Sequence, residues 1–167
     1  MYIGTAETVL DDKNRITVPR RIRDTMDELG HGVWYMARGF DRSIFLFPQE
    51  VWNSIREQVN RYSSMNIKAL DFKRFFFASV TQVQPDRQGR IAVPQHLRDY
   101  AGMDRNVVLI GVDDHLELWS RGNWQAFQED RGPEYKENAA PLFASDRERD
   151  EAKAEQGGGN QRGSDET

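Results

Sequence analysis

Apolar positions run at a two-residue period and then at three to four, and the chain passes through this change twice. Tyr2–Leu10 holds Ile3, Thr5, Thr8 and Val9 and predicts a strand. Asp11–Asn14 reads as a hairpin turn. Arg15–Val18 reads as its return strand, with Ile16 and Val18 on one face and Arg15 and Thr17 on the other. Pro19 stops strand pairing and starts a helix, Arg20–Leu29, whose buried stripe is expected at Ile22, Met26 and Leu29. Gly30 and Gly32 end it. Trp34–Arg38 and Ser43–Phe47 follow as strands around Gly39-Phe40-Asp41. Pro48 opens a longer helix, Gln49–Tyr62, with Trp52, Ile55, Val59 and Tyr62 on one face. A short helix over Ile67–Lys73 leads to the second round.

That round keeps the order. Phe76–Gln84 is expected to be extended, Pro85–Gly89 to turn and Arg90–Val93 to return. Pro94 starts a helix over Gln95–Tyr100, closed by Gly102. Val107–Ile110 and His115–Trp119 read as strands around Gly111-Val112-Asp113-Asp114, and Asn123–Phe127 begins a last helix. The motif Asp11-x-x-x-Arg15-Ile-x-Val-Pro19 returns 75 residues later as Asp86-x-x-Gly89-Arg90-Ile-x-Val-Pro94. At an offset of 72, Gly39 matches Gly111, Ile44 matches Leu116, Leu46 matches Leu118 and Trp52 matches Trp124. A whole β–turn–β–helix–β–β–helix unit is therefore repeated, and the repeat decides the architecture. The units are set at residues 1–66 and 67–127, with 128–167 as a tail.

Composition changes the picture at the end of the chain. Beyond Gln128 the only large apolar residues are Tyr135, Leu142 and Phe143, too few to offset chain entropy, so an acidic, mostly disordered tail is expected. Residues 1–127 hold 17 Lys and Arg against 16 Asp and Glu, a net of +1; residues 128–167 hold 6 against 11, a net of −5. The acidic pI thus reflects the tail as much as the core, and a local basic patch is what matters for nucleic acid. Lys13, Arg15, Arg20, Arg21 and Arg23 form such a run.

The chain has no cysteine, which excludes disulfides, zinc–thiolate sites and cysteine nucleophiles. No apolar run reaches the ~18 residues of a membrane span, and the start has no secretory pattern. A cytoplasmic location is expected. His31, His96 and His115 are scattered without metal-ligand spacing, no phosphate loop or nucleophile elbow is present, and Asp113-Asp114 reads as turn chemistry. Neither enzyme activity, a cofactor nor a small-molecule substrate is expected.

The motif carries its own chemistry. Asn14 and Gly89 occupy the same place in the two copies, and both tolerate a left-handed backbone, so both turns call for positive φ there. Asp11 and Asp86 at the turn mouths can accept backbone N–H groups and hold Arg15 and Arg90 by bidentate pairs. A guanidinium held this way suits phosphate or guanine, because its ordering cost is met before binding. Lys13, Arg20 and Arg21 would add phosphate contacts. A single such pair is ordinarily a surface ion pair worth ~0–1 kcal/mol; its duplication is what favours a functional role. Arg23 and Arg98 also recur and read as structural, capping helix carbonyls or packing on the core. The four tryptophans read as core or subunit contacts. Phe75-Phe76-Phe77 would cover the join between halves or an oligomer face.

Through the two motif copies, and through Leu97-Arg98-Asp99-Tyr100-Ala101-Gly102 and Leu116-Glu117-Leu118-Trp119 before Trp124, residues 1–127 resemble the MraZ family. Asn14 stands where that family usually has Gly. The resemblance implies an α+β fold of two tandem SpoVT-AbrB-type swapped-hairpin or double-ψ-like β units with short helices, related by a pseudo-two-fold axis. It also implies ring-like homo-oligomers at the nucleoid that bind direct repeats in double-stranded DNA, at the promoter of the division and cell-wall gene cluster, and repress it. Arg20 and Arg21 give way to Gln95 and His96 in the second copy, so the first hairpin is expected to carry more of the phosphate contact. The alternative is an oligomeric protein-interaction scaffold that does not bind DNA.

Overall fold

Two strands of three residues each, one from each motif, set the plan of the molecule. A computed structural model describes residues 1–62 and 65–143. The chain divides into two units, one spanning Met1–Ala126 and one beginning at Phe127.

In the first unit, β1 (Tyr2–Val9), β2 (Arg15–Thr17), α1 (Arg20–Glu28), β3 (Trp34–Arg38), β4 (Ile44–Pro48) and α2 (Gln49–Asn60) make the first repeat. Helix α3 (Ile67–Ser79) connects it to β5 (Thr81–Val83), β6 (Arg90–Ala92), α4 (Gln95–Ala101), β7 (Asn106–Asp113), β8 (His115–Ser120) and α5 (Arg121–Arg131). Six strands form one antiparallel sheet in the order β1-β7-β8-β4-β3-β5, and β2 pairs with β6 as a separate ribbon.

The registers obey a two-fold relation. In the ribbon, Ile16 faces Ile91, while Arg15 faces Ala92 and Thr17 faces Arg90. At the centre of the large sheet, Phe45 faces Glu117, Ile44 faces Leu118 and Leu46 faces Leu116. The central pairs join repeat equivalents and the flanking pairs are exchanged symmetrically about them, so a pseudo-two-fold axis runs through Ile16/Ile91 and Phe45/Glu117. The expected α+β fold of two tandem units follows this symmetry.

Strand pairing departs from the simple hairpin reading. β2 does not ladder along β1; it is joined to that arm by a single bridge between Leu10 and Ile16 and by the Thr8 hydroxyl, which donates to the Thr17 carbonyl at 3.0 Å. Instead β1 crosses to β7 of the second repeat, and β5 crosses to β3 of the first. Pro19 and Pro94 cut the return strands short, and Ile16 and Ile91 are fully buried, so the short strands lie over the sheet rather than extend it. Ile16, Val18, Ile91 and Val93 from the ribbon region, Ile22 and Met26 of α1, and Leu97 of α4 pack on Trp34, Met36, Leu46, Leu109 and Leu118 of the sheet. The opposite sheet face carries Ala37 and Phe47, covered by Trp52 of α2 and Phe76 of α3.

Several local expectations are corrected. Phe76–Ser79 is helical, not extended, because α3 runs six residues past Lys73. The Asn66 side chain accepts the Ala69 N–H at 3.2 Å to start it, and Phe72 stacks on Phe76 with ring centroids 5.4 Å apart. Leu29 and Tyr62 are exposed rather than on buried stripes, since α1 and α2 end before them. β7 continues through Gly111 and Val112, leaving a tighter turn at Asp113, whose φ is 61°. The unit boundary falls within α5, and in the second unit its last residues are followed by a 3-10 turn, Gly132–Glu134, and by α6 (Tyr135–Phe143). The chain is thus helical to Phe143 where little structure was expected; the disorder expected for 144–167 lies outside the described residues.

Candidate nucleic-acid interface

Each motif turn is built around one carboxylate. Asp11 Oδ1 accepts the backbone N–H of Lys13 at 2.8 Å and of Arg15 at 2.9 Å. Its Oδ2 accepts Arg15 Nε at 2.9 Å and Nη2 at 2.7 Å. The second turn repeats this: Asp86 Oδ1 takes the N–H groups of Gln88 and Arg90 at 2.9 and 3.0 Å, and Oδ2 takes Arg90 Nε and Nη2, each at 2.8 Å. Asn14 has φ 57° and Gly89 φ 71°, the left-handed backbone both turns call for. The bond from the Arg15 side chain, with its backbone N–H, holds the Asp11 carboxyl down at about 2. The Arg90 backbone N–H, with help from its side chain, lowers that of Asp86.

The β2–β6 pairing sets the turns side by side. Val18 N–H donates to the Gly89 carbonyl and Val93 N–H to the Asn14 carbonyl, both at 2.9 Å, so each repeat ties down the other's turn. Arg15 Nη1 lies 3.8 Å from Asp86 Oδ2, which joins the two motifs electrostatically. The Arg15 and Arg90 side chains are 24% and 28% exposed: ordered, with a reachable edge. The structure therefore brings Asp11, Asn14, Arg15, Asp86, Gly89 and Arg90 into one surface.

The flanking cations divide. Lys13 and Arg20 are exposed, and Arg20 only approaches Asp24 at 3.8 Å. Arg21 is committed elsewhere: its Nη2 donates to the Ile3 carbonyl at 2.6 Å and its guanidinium lies over Gly4. Arg98 Nε donates to the Val93 carbonyl at 3.1 Å, a structural contact. Sequence comparison missed Arg87, exposed on the second turn, because its equivalent in the first copy is Asp12. A cleft of about 430 Å³ lies between α1 and the second turn, with Arg20, Arg23, Asp27, Asp86 and Arg87 among its lining.

The histidines are held by polar neighbours. His31 Nδ1 and the Tyr2 hydroxyl are 2.7 Å apart, and His96 Nε2 lies 2.9 Å from the Ser79 carbonyl. His115 Nδ1 is 2.6 Å from Asp114 Oδ1, and its Nε2 is 3.7 Å from Glu117 Oε1. Among the described residues no group of three or more His, Asp or Glu is placed to hold a metal ion, and no helix is long and apolar enough to cross a membrane.

Comparison with known proteins agrees with this duplicated architecture. The family model for MraZ protein matches twice, over residues 1–75 and 76–144. The transcriptional regulator MraZ of Heliobacterium modesticaldum is 34% identical over 146 residues, 87% of this chain and 99% of its own length. That of Syntrophomonas wolfei is 37% identical over 142 residues, 85% of this chain and 96% of its own. That of Thermomicrobium roseum is 38% identical over 146 residues, covering 86% and 100%. These relatives are named as regulators and not as enzymes. Two matches in tandem, and relatives aligned along nearly their whole length, make this chain a member of the MraZ family.

Proposed function

We propose that the chain is a sequence-specific transcription regulator that reads double-stranded DNA with its paired motif turns. The observation that carries this reading is the pairing itself: two guanidiniums, each held through Nε and Nη2 by one carboxylate oxygen, presented together on one surface. Planar donors oriented before binding suit phosphate oxygens and the acceptor edge of guanine. Asp11 and Asp86, with Asn14 and Gly89, shape the turns; Arg15 and Arg90 contact DNA; Lys13 and Arg20 add phosphate contacts. Arg21 would have to leave the Ile3 carbonyl to join them. A surface this small makes few base contacts, so useful affinity comes from several copies in a ring-like homo-oligomer, each set against one of a series of direct repeats. Repression of the division and cell-wall gene cluster, from a cytoplasmic, nucleoid-associated protein, completes the reading.

The test is a footprint of the full chain on the DNA upstream of its own coding sequence, with the mass of the assembly measured by sedimentation. Regularly spaced protected repeats and a multi-copy mass are expected. An assembly that protects no DNA, even at low salt, would replace this reading with the interaction scaffold.

A further inference from the structure

The two-fold relation is broken at one pair of arginines. Arg23 and Arg98 are repeat equivalents, yet Arg98 stays with its own repeat, on the Val93 carbonyl. Arg23 crosses over. Its Nη1 lies 3.5 Å from the Gln88 carbonyl oxygen, and its Cδ, Nε and Nη1 fill the space in front of Gly89 where a Cβ would stand. Arg23 Nε is buried with no hydrogen-bond partner among the described residues, so beyond the long Nη1 bond to Gln88 it is packing that holds the side chain there.

This explains a difference between the copies. Both turns need positive φ, which Asn and Gly tolerate, and the first turn has Asn14, exposed to solvent. The second turn needs an empty Cβ site as well, and only glycine supplies one. Gly89 lies next to Arg90 and three residues after Asp86, so whatever fixes Gly89 fixes that carboxylate and the guanidiniums around it.

We infer that Arg23 is a positioning residue: its stem seats on Gly89 and locks the second turn beside the first, so that Arg15 and Arg90 act as one rigid pair. It works by shape, not by touching phosphate. The consequence for DNA rests on the reading proposed above; the clamp on the turn does not.

A double-substitution cycle tests this. Full-length native chain, Arg23→Ala, Gly89→Asn and the double variant are titrated onto a labelled duplex of the chain's own upstream region at several salt concentrations. Amide exchange at Gln88–Ile91 is followed on the same proteins without DNA. Arg23→Ala is expected to weaken binding about tenfold and to speed exchange, with the salt slope unchanged. Gly89→Asn should do the same by evicting Arg23, and the double variant should be no worse than Arg23→Ala. Arg23→Lys, which keeps the stem, should recover most of both signals. Additive losses, or no rescue by Lys, overturn the inference. A salt slope smaller by about one in Arg23→Ala overturns it too, since Arg23 would then meet phosphate itself. Should Gly89→Asn not fold, the Ala and Lys variants decide through exchange. If the native chain retains no duplex, the DNA reading fails, and the exchange data alone decide the clamp.

Discussion

Arg15 of the first turn reaches to within 3.8 Å of Asp86 of the second, while its own Asp11 holds it at 2.7 Å. One guanidinium thus reads the position of both repeats. Both carboxylates are substantially exposed, so the contact contributes direction more than stability.

Replacing Arg15 should therefore be felt in binding. Arg15→Ala is expected to lower affinity for the upstream duplex about 10- to 100-fold and the salt slope by about one, in a protein that still folds but with a modestly lower thermal midpoint. Arg15→Lys should recover the slope but not the affinity, because a point charge cannot reproduce the planar guanidinium held through Nε and Nη2. Titration by fluorescence anisotropy checks this; an unchanged affinity in a folded Arg15→Ala protein removes Arg15 from the interface.

Acid should loosen the first turn. The Asp11 carboxyl is held at about 2 in the fold against 3.8 ordinarily, so its pair with Arg15 favours the folded state above about pH 4. That contribution is lost as pH falls from there through about 2. Urea midpoints measured from pH 6 to pH 2 should fall more steeply for the native chain than for Asp11→Asn. Parallel curves would mean that the pair adds nothing to the fold.

His115 should titrate above its ordinary value. Burial works against its charged form, but hydrogen bonds and charge from Glu117 and Asp114 outweigh that and raise it. The raised value means that charged His115 stabilises the fold below about pH 6.5, an effect lost as pH rises through its folded pKa. The His115 ring resonances in an NMR titration should show a midpoint above about 6.5, and Glu117→Gln should bring it down.

Gly111 should tolerate no side chain. A Cβ there would run into the backbone of Tyr2 and Ile3, where β1 lies against β7. Gly111→Ala is expected to cost about 1–3 kcal/mol by pushing β1 away, measured by urea unfolding. Gly122→Ala, with open space around its Cβ site, is the neutral control.

Much of this was legible in the sequence, because the repeat printed each element twice. The element order, the helix starts at Pro19, Pro48 and Pro94 and the positive φ at Asn14 and Gly89 all follow from local chemistry. Strand partners did not. Nothing in the two-residue period of Ile16 and Val18 says that Ile16 will face Ile91 rather than lie along β1. The end of α3 at Ser79 rather than Lys73 was not legible either. Half-buried Lys73 sits inside this helix, its Nζ donating to the Tyr62 carbonyl at 2.7 Å. In the candidate site, the carboxylate–guanidinium pairs could be anticipated from spacing. The Arg15–Asp86 approach, the Arg23–Gly89 contact and the diversion of Arg21 to Ile3 could not, since each depends on which strand lies beside which.

The exchange of first strands between repeats has a consequence for how the chain is made. β1 is synthesised well before its partner β7, which does not exist until residue 113 has left the ribosome. β3 likewise presents an open edge until β5 arrives. Contacts of such sequence separation are slow to close, and edges left waiting are open to other chains. The nascent first repeat is therefore the vulnerable stage of this protein's life, and a pause in translation between the repeats would lengthen it.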